Sequence, residues 1–165
     1  MKVFIVGYMS SGKTRFGKRL AKALNLPFID LDQVVLERTQ RTAGTWIREY
    51  GEERFRQTEL LCLLHCLEKE EFVMATGGGT PCFFDNMERM NKEGITVWLK
   101  TPFGRILQRL RNKAGDRPLV ATVDGVIDSE AVERHYSGRL SYYSKATIIS
   151  EENDVEFVVK KITGN

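Results

Sequence analysis

The chain has 165 residues, 42% hydrophobic and 28% charged, with a formal net charge of +3; that is about one domain's length and enough to bury a core without disulfides or metal. This composition excludes a disordered chain, the mild charge without a basic-aromatic stripe argues against nucleic acid, and no apolar run approaches the ~20 residues of a membrane helix. Three cysteines without a CxxC argue against a disulfide framework, and the N-terminal residues lack the charged and apolar regions of a signal peptide, so a cytoplasmic protein is expected.

In chain order, KVFIV (2–6) predicts a β-branched strand ending at a glycine, and GKTRFGKRLAKALN (12–25) predicts a helix with Phe16, Leu20, Ala21, Ala23 and Leu24 at mostly helical spacing. LPFID (26–30) is a second short strand. The run 33–67 reads as mostly helical with a break near Thr42 to Thr45. FVMAT (72–76) is a third strand, stopped by three glycines, and ITVWLK (95–100) is a fourth, followed by a helix over 102–111 with proline at its start. ATIIS (146–150) is a fifth strand and 154–162 a closing helix. Short apolar strands alternating with helices predict an α/β fold with a buried parallel sheet, whose ligands bind at the carboxyl ends of the strands. The polar, aperiodic stretch from Lys113 to about Asp128 is long for a connector and reads as a flap. Cys62, His65 and Cys66 fall near one face of a helical run, ELLCLLHCL, but that run is apolar and its cysteines read as small core residues.

Gly7-Tyr8-Met9-Ser10-Ser11-Gly12-Lys13-Thr14 matches G-x-x-x-x-G-K-[ST] between a predicted strand and a predicted helix. Free backbone N–H groups at the helix N-terminus suit phosphate oxygens, Lys13 suits the β and γ phosphates, and the Thr14 hydroxyl suits Mg²⁺. A phosphate loop serves switches, motors and kinases alike, so the other motifs have to distinguish them. FIDLD places Asp30 and Asp32 two apart at a strand end, where both would project to one face; the pair equally suits a helix cap at Asp32 before QVVLER with a solvated neighbour. Gly77, Gly78 and Gly79 suit either a turn needing left-handed angles or a site where backbone meets ligand. Arg56, in GEERFRQTE, has Glu59 three residues on and within helical reach. Arg117 lies in DRPLV within the flap, and Arg139 precedes SYY near the end of a helical stretch. With the phosphate loop, these arginines suggest a closable site for a small anionic substrate.

GYMSSGKT, the D-x-D of FIDLD, GEERFR, GGGTP, RPLV and RLSYY follow one another as in shikimate kinases, and over nearly its whole length the chain resembles that family. The resemblance implies a nucleoside monophosphate kinase-like fold: a P-loop three-layer sandwich with a five-stranded parallel sheet flanked by helices, and a lid. It implies a single domain over 1–165, with a substrate-binding segment at about 32–60 and the lid at about 113–128. The implied reaction transfers the γ-phosphoryl of ATP to the 3-hydroxyl of shikimate, in aromatic amino-acid biosynthesis, with Mg²⁺ as cofactor. By that resemblance, Lys13, Asp32 and Arg117 are catalytic, and Ser10, Ser11, Gly12, Lys13, Thr14, Arg15 and Arg117 bind ATP. Asp32, Arg56, Gly77 to Gly79 and Arg139 would hold shikimate, Asp32 as candidate base and the two arginines on the carboxylate. Thr14 and Asp30, the latter through water, would face Mg²⁺. Arg109 and Arg111 lie near the place of the adenine, and a monomer is expected, with neither nucleic acid nor membrane as partner. The rival readings are a related kinase for gluconate or a nucleoside monophosphate, and a nucleotide-binding module that has lost transfer.

Overall fold

The computed structural model describes residues 1–113, 122–123 and 126–164. Strand β1 (Lys2–Val6) leads through the phosphate loop into helix α1 (Lys13–Leu24), then β2 (Phe28–Asp30), α2 (Leu31–Thr39), α3 (Ala43–Tyr50) and α4 (Glu52–Leu67). After β3 (Phe72–Ala75) come a 3₁₀ turn (Thr80–Cys82), α5 (Asn86–Glu93), β4 (Ile95–Leu99) and α6 (Phe103–Asn112). A two-stranded antiparallel ribbon, β5 (Thr122–Val123) and β6 (Val126–Ile127), precedes α7 (Ser129–Tyr143), β7 (Ile148–Ser150) and α8 (Val155–Thr163).

Five strands form one parallel sheet in the order β2-β3-β1-β4-β7. Strand β1 is central, and its side chains divide by the two-residue period of a strand. Val3 and Ile5 pack on one face with Phe16, Leu20 and Ala21 of α1 and Val158 of α8. Phe4 and Val6 pack on the other with Phe55 and Leu63 of α4 and Tyr143 of α7. Burial on both faces is why this strand reads as a continuous β-branched and aromatic run.

Several expectations change in detail. The helical run after β2 is broken twice, at Gln40 with φ 56 and at Gly51 with φ 86, the second being a left-handed angle that suits glycine. Ala23 of α1 is exposed, so the buried stripe of that helix is Phe16, Leu20 and Ala21. Helix α5 carries too few apolar residues to announce itself, yet it buries Met87 and Met90. The ribbon β5–β6 lies within the stretch expected to be irregular.

Strand order does the work of positioning. Because β2, β3 and β1 are neighbours, the Asp30 end, the glycine run after β3 and the phosphate loop after β1 meet at one edge of the sheet, at its carboxyl side.

Two leucines of α4 test how much of this stability comes from burial. Leu63 is fully buried while Leu61 is 64% exposed. Leu63→Ala is expected to lower the unfolding free energy by about 3 kcal/mol and Leu61→Ala by less than about 0.5 kcal/mol, read as urea midpoints at constant slope.

Candidate active site

The phosphate loop closes around the N-terminus of α1, where Gly12 takes φ 96 and no side chain caps the helix. No acidic residue lies in its first turn, so the positive end of the helix dipole faces the loop without a carboxylate of its own helix to offset it. Lys13 is buried, and its Nζ donates to the carbonyls of Gly7 and Tyr8 at 2.9 Å each. The loop is braced from behind: Thr101 Oγ1 donates to the Ser11 carbonyl at 2.9 Å and Arg109 Nη1 to the Ser10 carbonyl at 3.0 Å. Ser10, Gly12, Lys13, Thr14 and Arg15 line the cleft, whereas Ser11 is fully buried behind the loop. Of the two candidates near the adenine, Arg109 reaches the loop, while Arg111 is exposed on α6.

The two aspartates do not share a strand face. Strand β2 ends at Asp30, and Asp32 sits in the first turn of α2. The cap of that helix is Asp30 rather than Asp32: its Oδ1 accepts from the backbone N–H of Asp32 at 3.1 Å and of Gln33 at 3.4 Å. Leu31 is fully buried, and that burial starts the helix two residues earlier than the capping pattern at Asp32 implied. The other oxygen of Asp30, Oδ2, accepts from the Thr14 hydroxyl at 2.7 Å, so one carboxylate both caps α2 and meets α1. Asp32 nevertheless lines the same cleft.

The triple glycine is not a left-handed turn, since none of Gly77, Gly78 and Gly79 has positive φ. Its role is space. A Cβ on Gly79 would overlap the Arg56 guanidinium, one on Gly77 would lie 2.8 Å from Glu59 Oε2 and 3.1 Å from Asp32 Oδ1, and one on Gly78 would lie 3.1 Å from the Met9 amide. Backbone without side chains lets Arg56, Glu59, Asp32 and the phosphate loop approach together.

Arg56 is 3% exposed and Glu59 1%. Arg56 Nη1 donates to Glu59 Oε1 at 3.0 Å, Nη2 to Glu52 Oε1 at 3.2 Å, and its Cζ lies 4.4 Å from the Phe83 ring centre. The second oxygen of Glu59 accepts from Thr80 Oγ1 at 2.8 Å. Burial pushes the Glu59 carboxyl up, while the Arg56 guanidinium and the Thr80 hydroxyl pull it back down. Arg139, 5% exposed, lies over the Tyr8 ring at 5.7 Å and, among the described residues, has no carboxylate partner. Tyr143 donates to the Gly78 carbonyl at 2.6 Å and ties α7 to the glycine run.

The cleft between them has a volume of about 1020 Å³. It brings together Lys13, Thr14, Asp30, Asp32, Arg56, the three glycines and Arg139. Arg117 lies outside the described residues. Glu52 and Thr80 were missed by reasoning from sequence; Glu52 precedes Arg56 by four, a spacing that signals the pair, while nothing local marks Thr80. Cys62 and Cys66 are buried in the core and burial pushes both thiols up, whereas the His65 side chain is 48% exposed and 3.4 Å from Glu68.

A phosphate loop sharing one cleft with carboxylates and buried guanidiniums is the arrangement of a P-loop kinase, an enzyme that carries a phosphoryl group to a small acceptor. The sequence profile of the shikimate kinase family matches residues 9–164, and this chain belongs to that family. It is 39% identical over 159 residues to the shikimate kinase of Bacteroides thetaiotaomicron, covering 94% of this chain and 89% of that one. A crystal structure of shikimate kinase from the same organism superposes with a TM-score of 0.85 at 34% identity, covering 99% and 97% of the two chains. Shikimate kinase from Acinetobacter baumannii in complex with shikimate gives a TM-score of 0.88 at 29% identity, covering 99% and 93%. Among the described residues no helix is long and apolar enough to cross a membrane.

The buried ion pair is testable apart from catalysis. Glu59→Gln keeps the shape and the Thr80 contact but removes the charge facing Arg56. It is expected to lower the unfolding free energy by about 3 kcal/mol, measured by urea denaturation.

Proposed function

We propose that this chain transfers the γ-phosphoryl group of ATP to the 3-hydroxyl of shikimate, giving shikimate 3-phosphate and ADP. The observation that carries the reading is the pair of buried guanidiniums, Arg56 and Arg139, opening into the same cleft as the phosphate loop. Two planar cations flanking a glycine run suit a small carboxylate that also carries hydroxyls, because each guanidinium presents a fork to an oxygen pair. The segment at about 32–60 then holds the acceptor and that at about 113–128 is the lid, within a single domain. Every group invoked comes from one chain, so a monomer suffices.

In this reading the N–H groups of the loop from Ser10 to Arg15 surround the phosphates. Lys13 turns from the Gly7 and Tyr8 carbonyls to the β and γ oxygens, where its charge offsets what builds up in transfer. Asp32 accepts the hydrogen bond of the shikimate hydroxyl and takes its proton as that oxygen bonds to phosphorus and the bond to the β,γ-bridging oxygen breaks. Gly77 to Gly79 meet the ring hydroxyls, and Glu59 with Glu52 orients Arg56. Arg117, from the lid, approaches the transferring group and excludes water.

Mg²⁺ is implied by this chemistry, and the residues present fit it. The Thr14 hydroxyl and an Asp30 carboxylate oxygen converge to 2.7 Å, a pair of hard oxygen donors. No group of three or more His, Cys, Asp or Glu able to hold a metal occurs among the described residues, as suits an ion that keeps its waters and leans on substrate phosphates. Thr14 would hold the ion directly and Asp30 through water; when bound, the ion neutralises charge on the β and γ oxygens.

The direct test is ADP release in a coupled assay with shikimate, gluconate and nucleoside monophosphates as acceptors. Release dependent on shikimate alone is expected; release with another acceptor, or with none, sinks the reading. Within that assay the aspartates should separate. Asp32→Asn is expected to lower turnover by about 10²–10⁴-fold, whereas Asp30→Asn mainly raises the magnesium concentration needed. Indistinguishable magnesium titrations of the two variants would refute this division of roles.

A further inference from the structure

His135 lies one helical turn before Arg139 on α7, so both side chains fall on the same face of that helix. Its Nδ1 is 2.7 Å from the Tyr8 hydroxyl, and the two rings meet at 5.6 Å with their planes inclined by 68°. Tyr8 belongs to the phosphate loop, and its ring is the one that carries the Arg139 guanidinium at 5.7 Å. Tyr136 packs edge-on against the same ring at 5.3 Å. A half-buried histidine is thereby joined, through one aromatic ring, to a cation of the proposed acceptor site.

Tyr8 is 1% exposed, and burial pushes its hydroxyl up to about 12, against a smaller pull from Arg139. The phenol therefore keeps its proton, and its contact with His135 Nδ1 runs in either direction according to the imidazole tautomer. Among the described residues the charged groups facing His135 are Arg139 on its own helix and Glu52 and Arg56 on α4, with Tyr8 as its partner from the phosphate loop. Burial first, then Arg139, holds the imidazole below its ordinary value of 6.5; Arg56 adds to this and Glu52 opposes it.

We propose that His135 is a proton-linked member of the acceptor-carboxylate subsite: its imidazolium, held against Tyr8, adds a positive charge beside Arg139 and Arg56 that a bound carboxylate stabilises. The proposal rests on the reading of Arg56 and Arg139 as the carboxylate clamp. An anion placed at two guanidiniums offsets the repulsion by which they oppose protonation of the neighbouring imidazole. Its arrival raises the proton affinity of His135, and by reciprocity protonation of His135 raises the affinity for the carboxylate. Acceptor affinity thus increases as pH falls through the His135 titration. The contact with Tyr8 is available in both states, because the protonated phenol is both donor and acceptor: it can meet either neutral tautomer and accepts from Nδ1–H of the imidazolium. Charge changes at this position while geometry does not.

The chain contains two histidines, so the ring protons of His135 have only those of His65 to be told apart from. Ring-proton NMR titrations of the full chain between about pH 5 and 8, with and without saturating shikimate, are expected to move the His135 midpoint upward by about half a unit or more. In steady state, the KM for shikimate is expected to fall about threefold in the wild type between about pH 7.5 and 5.5, relative to His135→Gln. That variant keeps an acceptor for the Tyr8 hydroxyl but has no proton to exchange, and its KM for ATP should match the wild type. A His135 midpoint indifferent to shikimate, in a sample where shikimate shifts other resonances, overturns the proposal and leaves the clamp intact. No shikimate-induced change anywhere, with no turnover, overturns the clamp and the proposal with it.

Discussion

A guanidinium that is 3% exposed has to be met by anions and acceptors, and the rest of the acceptor side follows from how that is done for Arg56. Glu59 supplies one carboxylate from the next turn of α4 and Glu52 another from the turn before. Glu59 is itself nearly fully buried, so its second oxygen needs a donor, which Thr80 provides from the far side of the glycine run. That chain of contacts draws the segment after β3 against α4. Only a backbone without side chains can lie so close to a guanidinium and a carboxylate at once, which is why three glycines occur there.

The same economy governs the phosphate side. Asp30 ends β2, caps α2 with one oxygen and receives the Thr14 hydroxyl with the other. A single carboxylate at a strand end thereby links two helices whose N-termini face the cleft. Lys13, occupied with loop carbonyls, and Arg109, braced on Ser10, keep the loop in shape through hydrogen bonds to backbone oxygens. Tyr8 then joins the two sides, since it belongs to the phosphate loop by its backbone and to the acceptor side by its ring.

The strands, the phosphate loop and the pairing of Arg56 with Glu59 were legible because each is carried by residues near one another in sequence. Val3 to Val6 read as a buried strand, the P-loop spacing is local, and residues three apart on a helix share a face. Where two readings shared the same letters, local pattern chose less well. Capping chemistry suited Asp32, yet the burial of Leu31 started α2 early and gave the cap to Asp30. The glycine run suited both a turn and a close approach, and there the second reading holds, since its angles are ordinary and its backbone lies against charged side chains. Helix α5 was missed because its buried residues are few and its composition is polar.

By itself, the amino-acid sequence determined the fold class, the phosphate loop and the family, because those depend on hydrophobic period and on short motifs of fixed spacing. Tertiary structure decided which groups meet. That Thr80 reaches Glu59 across 21 residues, and His135 reaches Tyr8 across 127, follows from β2, β3 and β1 lying side by side and from α7 returning over the end of β1. No local pattern encodes such contacts, since they arise only when buried charges and hydroxyls must find partners within the packed chain.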